Sequence, residues 1–114
     1  MSDCIFCKIL NKEIPSEVVF EDDQVLVIKD INPLAPVHLL MITKKHIASL
    51  NEVLPEDEAL LGHILMLAQK LAQEFGVAES GYRVVTNIGK EGGQAVPHLH
   101  FHVLGGKPLG VNIG

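Results

Sequence analysis

Only one segment of this chain carries a long helical pattern of apolar residues, and this limits the folds it can adopt. The segment spans residues 55–75: Pro55 and the three acidic residues after it suit a first helical turn, and Gly76 provides a stop. The other apolar runs are short and bounded by turn residues, at 18–20, 25–28, 38–43, 82–87 and 99–104. Because strands do not alternate with helices, we expect an α+β fold in which a five-stranded antiparallel sheet packs against one long helix.

The long helix is more apolar than packing on one sheet requires. Its central stripe is predicted to contain Leu61, Ile64, Leu65, Ala68, Leu71, Ala72 and Phe75. Leu60, Met66 and Leu67 lie outside that stripe, so we expect a second apolar partner, such as another subunit. His63 is expected at the surface or in that contact. A length of 114 residues suits a single domain over 1–114, with a C-terminal tail at 105–114.

Charge and hydropathy argue against nucleic acid and membrane partners. Nine Lys and Arg, of which only one is Arg, face fourteen Asp and Glu, giving a net charge of −5 and no basic stripe. No run approaches the roughly 18 continuous apolar residues of a membrane span, and the N-terminus has no secretory signal pattern. We therefore expect a cytoplasmic protein.

Three of the six histidines alternate along the last predicted strand. Because side chains alternate across a strand, His98, His100 and His102 share one face. The opposite face carries Leu99, Phe101 and Val103. Such imidazoles can bind a transition metal, or act on an anionic substrate as nucleophile, proton carrier and charge stabiliser; the spacing does not choose between these. The glycine pair at 92–93 can turn backbone N–H groups toward a phosphate.

Two cysteines, Cys4 and Cys7, stand three residues apart near the N-terminus. In a reducing compartment this spacing disfavours a structural disulfide and leaves metal binding, redox chemistry or simple burial. A redox pair is expected to open a helix inside a strand–helix–strand unit, which the sequence does not predict.

The run from His98 to Leu104 resembles the signature of the histidine triad family, in which three histidines alternate with apolar residues. The resemblance extends over residues 3–106 and is greatest for the Hint branch, the purine nucleoside phosphoramidases. It implies a homodimer in which two five-stranded sheets join. It also implies hydrolysis of purine nucleoside 5′-phosphoramidates to nucleoside monophosphate and amine, through a nucleotidyl-histidine intermediate, with no organic cofactor.

The resemblance assigns roles to individual residues. His100 matches the nucleophile, His102 the phosphate-contacting histidine, and His38 and His98 their supporting neighbours. Asp30 matches the carboxylate that binds the ribose hydroxyls. The apolar slot for the purine is matched by Ile5, Phe6, Ile9, Ile28 and Ile31, and the phosphate-side contacts by Asn87 and Gly93. Ala95 stands where much of the branch has a serine that reaches the leaving group.

The resemblance also bears on the cysteines. Some bacterial members carry this Cys-x-x-Cys pair and bind zinc, which implies a structural zinc at Cys4, Cys7, His46 and His98. Two alternative functions are kept. One is a diadenosine polyphosphate hydrolase or nucleotidyltransferase of the same family. The other is a zinc-stabilised nucleotide sensor or scaffold with little turnover, for which the missing hydroxyl at Ala95 is the motive.

Overall fold

In a computed structural model, residues 4–111 are described and form one antiparallel sheet with helices on both faces. In chain order the elements are α1 (Ile5–Leu10), β1 (Val18–Glu21), β2 (Val25–Lys29), β3 (Val37–Thr43), two 3-10 turns (Leu50–Glu52 and Pro55–Asp57), α2 (Glu58–Glu74), β4 (Tyr82–Val85) and β5 (His100–Gly105). The strand order is β1-β2-β3-β5-β4, and every neighbouring pair is antiparallel. The predicted α+β class, five strands and long helix are confirmed. The single-domain assignment stays a prediction, and residues 1–3 and 112–114 lie outside the described residues.

The two faces of the sheet are covered by different helices. Side chains of one face pack with α2 in the larger core, which contains Val25, Val27, Leu39, Met41, Leu99, Phe101 and Val103. The other face packs with Phe6 and Cys4 of the α1 region in a second core, through Leu26, Ile28, Leu40 and Ile42. Strands β2 and β3 therefore read as continuous apolar runs, because each is buried on both faces.

Helix α1 was missed by the sequence analysis. It has only six residues, too few for a helical period to emerge from its apolar pattern. Cys4 caps it, with Sγ accepting from the Cys7 N–H at 3.3 Å. The cysteine pair opens this helix, but no strand precedes the helix within residues 4–111, so the strand–helix–strand setting of a redox pair is not seen there.

The buried face of α2 differs from the predicted stripe. Leu60 and Leu67 are buried in the core of this chain, whereas Leu65 and Met66 are 56% and 65% exposed. The face of α2 that packs on the sheet contains positions 60, 64, 67, 68 and 71. Because residues on both sides of this face are also apolar, the sequence pattern does not show which face is buried. No helix among the described residues has the length and hydropathy to cross a bilayer.

His63 ties α2 to the turn between β1 and β2. Its Nε2 lies 2.6 Å from Asp22 Oδ2, and the other oxygen of that carboxylate accepts the N–H groups of Gln24 and Val25 at 2.8 Å. His63, expected at the surface or in a contact with another subunit, is partly exposed and pairs with a carboxylate of its own chain.

Candidate active site

A cavity of about 590 Å³ opens on the sheet face opposite α2. Its wall combines histidines, apolar side chains of the sheet, part of the loop before β5 and the segment after it. The lining residues are Phe6, Asp30, Leu34, His38, Leu40, Arg83, Val85, Asn87, Gly93, Ala95, Val96, His100, His102, Leu104, Lys107, Pro108 and Leu109.

Strand register brings the histidines together at this wall. His102 on β5 stands opposite Leu40 on β3 and Val85 on β4. Leu104, two residues further along, stands opposite His38 and Arg83. The alternation predicted for the last strand is confirmed for its apolar face, which is buried under α2. Only two of the three histidines lie within β5, because His98 sits in the bend before it.

His100 is held with one ring nitrogen free for attack. Its Nδ1 lies 2.7 Å from the carbonyl oxygen of His98. A carbonyl only accepts, so Nδ1 carries the proton and donates it, which leaves a lone pair on Nε2. Burial lowers the pKa of His100, whose ring also meets the Phe6 ring edge-on at 4.8 Å between centroids. At neutral pH this imidazole is an uncharged nucleophile.

His102 presents the opposite tautomer, set by a relay. The backbone N–H of Leu34 donates to His38 Nδ1 at 3.1 Å, so neutral His38 carries its proton on Nε2. That Nε2–H donates to His102 Nδ1 at 2.9 Å, which places the His102 proton on Nε2. Burial, then the neighbouring His100 and His38, lowers the pKa of His102 to about 4. His102 is thus a neutral donor at pH 7.

Asp30 stands at the end of this relay. Its Oδ2 lies 3.4 Å from His38 Nε2, and its Oδ1 accepts the Asn32 N–H at 2.8 Å. Burial lowers the pKa of His38, outweighing the opposing effect of the Asp30 carboxylate. The pair therefore orients the His38 ring without ionising it at neutral pH.

Gln94 organises the loop on the other side of the histidines, a role that the sequence analysis did not assign. Its Nε2 donates to the carbonyls of Ala48 and Val96 at 2.7 and 3.0 Å, and its Oε1 accepts the Gly89 N–H at 2.9 Å. Asn87 Nδ2 donates to the Gly92 carbonyl at 2.9 Å. A Cβ at that glycine would overlap the Ile88 carbonyl oxygen, so the tight loop admits no side chain there.

Not all residues of the predicted purine slot line the cavity. Phe6 and Asp30 do, and so do the phosphate-side candidates Asn87, Gly93 and Ala95. The other four are outside its lining: Ile28 and Ile9 pack in the second core, while Ile5 and Ile31 are exposed, Ile31 by 85%. Residues on a short helix and in a turn take directions that apolarity alone does not predict.

A second cluster of chemical groups lies beside the cavity, where Cys4, Cys7, His46 and His98 converge. His98 Nδ1 lies 3.2 Å from Cys4 Sγ and 3.7 Å from Cys7 Sγ. His46 Nδ1 lies 3.3 Å from Cys7 Sγ and 3.1 Å from His98 Nδ1. His98 Nε2 donates to the Thr43 carbonyl at 2.7 Å, so its Nδ1 lone pair points into the cluster.

These distances fit one tetrahedral metal ion. Around zinc, with bonds of about 2.3 Å to sulfur and about 2.0 Å to nitrogen, ligand atoms lie roughly 3.3–3.8 Å apart. Both free cysteines contribute, and His98 already has the tautomer that a ligand needs. Burial, followed by the neighbouring Cys4, raises the pKa of the Cys7 thiol, an effect that a bound cation reverses.

The other arrangements do not suit a metal. The ring nitrogens of the three triad histidines do not converge among the described residues, since Nδ1 of His98 faces the cysteines. Asp30, His38 and His102 do converge. In that group the Leu34 N–H fixes the His38 proton on Nε2, the atom that would have to be a ligand.

Comparisons with known proteins agree over nearly the whole chain. A family model described as the scavenger mRNA decapping enzyme C-terminal binding domain matches residues 3–110. An uncharacterized HIT-like protein of Synechocystis sp. is 51% identical over 107 residues, which cover 94% of this chain and 93% of that protein. The purine nucleoside phosphoramidase of Escherichia coli K12 is 46% identical over 108 residues, 95% of this chain and 91% of that protein. A HIT family hydrolase from Clostridium thermocellum superposes with a TM-score of 0.94 at 48% identity, covering 99% and 98% of the two chains.

Proposed function

This chain is an enzyme of the histidine triad family, and we propose that it hydrolyses the phosphorus–nitrogen bond of purine nucleoside 5′-phosphoramidates. The resemblance inferred from the triad run is confirmed by these matches. The observation that carries the proposal is the pair of opposite tautomers in the cavity. His100 offers a lone pair on Nε2, and His102 offers a proton on Nε2. A nucleophile and a donor for a phosphoryl oxygen are the two groups that the reaction needs.

In this proposal the reaction has two steps. His100 Nε2 attacks the phosphorus as the bond to the amine breaks, and the departing nitrogen takes one proton from solvent. The new imidazolium is stabilised through its Nδ1–H, which already donates to the His98 carbonyl. Water then attacks the same phosphorus, the bond to His100 breaks, and one proton returns to solvent. Ala95 offers no hydroxyl for the first step, which is why we assign that proton to solvent.

The remaining residues hold the nucleotide. Asp30 accepts the ribose hydroxyls, and Asn87 and the Gly93 backbone contact the phosphoryl oxygens, all from the cavity wall. Phe6 supplies the apolar surface for the purine inside the cavity. For Ile5, Ile9, Ile28 and Ile31, which lie outside the cavity lining, a role at the purine rests on the family resemblance alone. An apolar slot with one carboxylate favours ribonucleotides over deoxyribonucleotides and discriminates weakly between purines.

The cysteine cluster holds a structural zinc ion in this proposal. Cys4 and Cys7 join α1 to His46, which follows β3, and to His98, which precedes β5. When bound, the metal cross-links these segments with all four positions filled, so it contributes stability rather than a reactive water. The expected cytoplasmic location stays a prediction.

We also propose a homodimer. Strand β4 is an open edge of the sheet, and a second copy can pair with it to continue the sheet. Leu65 and Met66 of α2 are exposed apolar residues that a partner helix can cover. Light scattering at micromolar concentration is expected to give about twice the chain mass of 12.4 kDa; a monomer mass contradicts the proposal. Met66→Lys should shift the equilibrium toward the monomer, because Met66 is exposed; Leu67 does not suit this test, because it is buried in the core of its own chain.

One assay tests the function. Adenosine and guanosine 5′-phosphoramidates are compared with diadenosine polyphosphates by release of nucleoside monophosphate, while intact mass follows nucleotide on the protein. Repeated turnover of the phosphoramidates is expected. Faster cleavage of dinucleotides would favour the polyphosphate hydrolase or nucleotidyltransferase instead. Stoichiometric labelling with slow release would favour a sensor, the alternative that the missing hydroxyl at Ala95 keeps open.

A further inference from the structure

The cavity has a positively charged end that the proposed chemistry does not use. Arg83, the single arginine of the chain, and Lys107 line its wall, and among residues 4–111 Asp30 is the one carboxylate in the lining. The whole chain carries a net charge of −5, so a cavity wall with two cations and one anion departs from the average surface. Such a local excess attracts anionic groups.

Neither cation is neutralised within residues 4–111. Arg83 donates Nη1 to the Leu109 carbonyl at 3.4 Å and Nη2 to the Gly110 carbonyl at 2.7 Å, which are uncharged acceptors. It retains its full charge and further N–H donors. The same two bonds fasten the segment after β5 against β4, which puts Lys107 on the cavity wall. No carboxylate of the described residues lies within ion-pair distance of Lys107.

Strand register locates these cations relative to the reacting groups. The Asp30 N–H donates to the His38 carbonyl. His38 stands opposite Leu104, and Leu104 stands opposite Arg83, so these four residues form one row across the sheet. Asp30 and Arg83 therefore occupy opposite sides of the cavity, three strand spacings or about 14 Å apart. His102 lies between these sides in the adjacent row, and His100 one row further. A nucleotide with its ribose at Asp30 and its phosphorus beside His102 places the leaving group toward β4.

The direction of attack leads to the same place. In phosphoryl transfer the attacking and leaving atoms lie roughly in line with the phosphorus. His100 is the first residue of β5. Leu104, which stands opposite Arg83 on β4, lies four residues further along β5, about 13 Å away. A group expelled opposite to His100 is expelled toward Arg83 and Lys107.

Resting on the function proposed above, we infer that Arg83 and Lys107 form a leaving-group subsite for amines that carry an oxyanion, either a carboxylate or a phosphonate or phosphate. The guanidinium fork binds such a group with two donors, and the lysine adds a mobile point charge. Asp30, the carboxylate that the described part of the chain contributes to the lining, lies on the opposite side of the cavity, too far away to repel such a group strongly.

The test uses three adenosine 5′-phosphoramidates, built on 3-aminopropanoate, 3-aminopropanamide and 2-aminoethylphosphonate. The first two match in size and differ in charge, and the third shows which oxyanion is preferred. For each variant the measured quantity is the ratio of kcat/KM for a charged substrate to that for the amide. Comparing this ratio between variants cancels the intrinsic reactivity of each amine.

The ratio is expected to fall about threefold in Lys107→Gln, as for an exposed charge pair, and about tenfold in Arg83→Gln, as for a charge-assisted hydrogen bond. Arg83→Lys keeps the charge but loses the two-donor fork and the bonds to the tail, so its ratio should lie between those of the wild type and Arg83→Gln. Lys70→Gln is the control, since it makes the same change in net charge from exposed α2, across the sheet. Raising the ionic strength should reduce the wild-type ratio.

Two results overturn the inference: a ratio unchanged in both cavity variants, or an equal loss in Lys70→Gln. Circular dichroism melting of each variant excludes unfolding as the cause of a loss. Failure of the subsite is distinguishable from failure of the proposed function. If the phosphoramidates are turned over but the ratio is unchanged in both cavity variants, only the subsite is wrong. If no phosphoramidate is turned over, the proposed function itself is wrong.

Discussion

His98 and His100 are two residues apart, yet they belong to regions with opposite chemistry. At the cavity, Nδ1 of His100 donates to a backbone carbonyl and Nε2 keeps its lone pair for a substrate. At the cysteine cluster, Nε2 of His98 donates to a backbone carbonyl and Nδ1 keeps its lone pair among two sulfurs and a second imidazole. In each histidine, the ring nitrogen that donates to a backbone carbonyl carries the proton, and the other ring nitrogen keeps its lone pair.

The two regions also differ in whether other protein groups provide the partners of their histidine nitrogens. The cavity histidines are satisfied by protein groups: Leu34 N–H orients His38, His38 orients His102, and the His98 carbonyl orients His100. The cysteine cluster gathers four atoms of the kinds that ligate metals, two of them facing nitrogens at 3.1 Å. If the proposed zinc is bound, a cation completes the second region, whereas the hydrogen bonds that orient the cavity histidines come from the protein alone. The substitutions below separate catalysis from stability on this basis.

The largest effect is expected in the cavity, from His100→Ala. Loss of the nucleophile should reduce kcat/KM for an adenosine phosphoramidate at least a hundredfold, or about 2.7 kcal/mol in transition-state stabilisation. Binding of nucleoside monophosphate, measured by calorimetry, should persist because Asp30 and the cavity wall remain. His63→Gln, on α2 across the sheet, is the histidine control. A smaller loss in His100→Ala contradicts the assignment of the nucleophile.

The corresponding change in the other region, the Cys4→Ser, Cys7→Ser double variant, should act on stability. Elemental analysis of protein purified without added metal should show about one zinc per chain in the wild type and none in this variant. We expect the free energy of unfolding to fall by roughly 3 kcal/mol, with kcat/KM on the folded fraction changed less than tenfold.

Other metal contents would redefine the cluster. Zinc that persists in the double variant would place the metal at the triad histidines, and a chelator should then stop turnover. Zinc absent from the wild type would leave Cys4 and Cys7 as small buried apolar groups. His46→Asn, which removes a ligand outside the cavity, should repeat the stability loss if the cluster holds the metal.

A smaller effect is expected from breaking the relay behind His102. His38→Ala removes the donor to His102 Nδ1 and frees the other tautomer, so kcat should fall about tenfold or more with little change in KM. His38→Gln can keep an N–H near the position of Nε2 and should retain more activity than His38→Ala. Steady-state kinetics of the two variants compare them directly; equal losses would mean that packing, not the donor, matters at this position.

The sequence predicts the regular parts of this fold well, for identifiable reasons. The five strands and α2 carry periodic apolar patterns and turn signals over enough residues to be recognised. Helix α1 has six residues, and the buried line of α2 competes with apolar flanks, so neither could be determined from pattern alone. The formation of α1 and the orientation of α2 both depend on contacts with residues that are distant in the chain.

The candidate site divides in the same way. Spacing places His100 and His102 on one face, because strand geometry dictates it. Spacing does not predict their opposite tautomers, since these depend on the His98 carbonyl and on Leu34, a residue of the loop between β2 and β3. Arg83 and Lys107 enter the cavity through the register of β4 and the path after β5, for which no local pattern exists.

The smallest expected effect is on the stability of the protein in acid, and it tests most directly how the cavity histidines differ from the cysteine cluster. Burial lowers the pKa of His102 to about 4 and also lowers those of His38 and His100. In the unfolded chain a histidine titrates near 6.5. Between these pH values the unfolded state binds more protons than the native state, so the free energy of unfolding falls as the pH drops from about 6.5 toward 4.

The measurement is best made in the Cys4→Ser, Cys7→Ser background, where loss of metal in acid makes no contribution. Urea unfolding followed by circular dichroism should show His102 contributing on the order of 2 kcal/mol between pH 6.5 and 4.5, after allowance for the remaining exposure of its ring. His102→Gln should flatten this dependence. His63→Gln should not, because His63 lies on α2, across the sheet from the cavity, and does not contact the cavity histidines. If both variants keep the wild-type slope, the cavity histidines are not held neutral by burial, and the distinction between a self-sufficient cavity and a metal-dependent cluster fails.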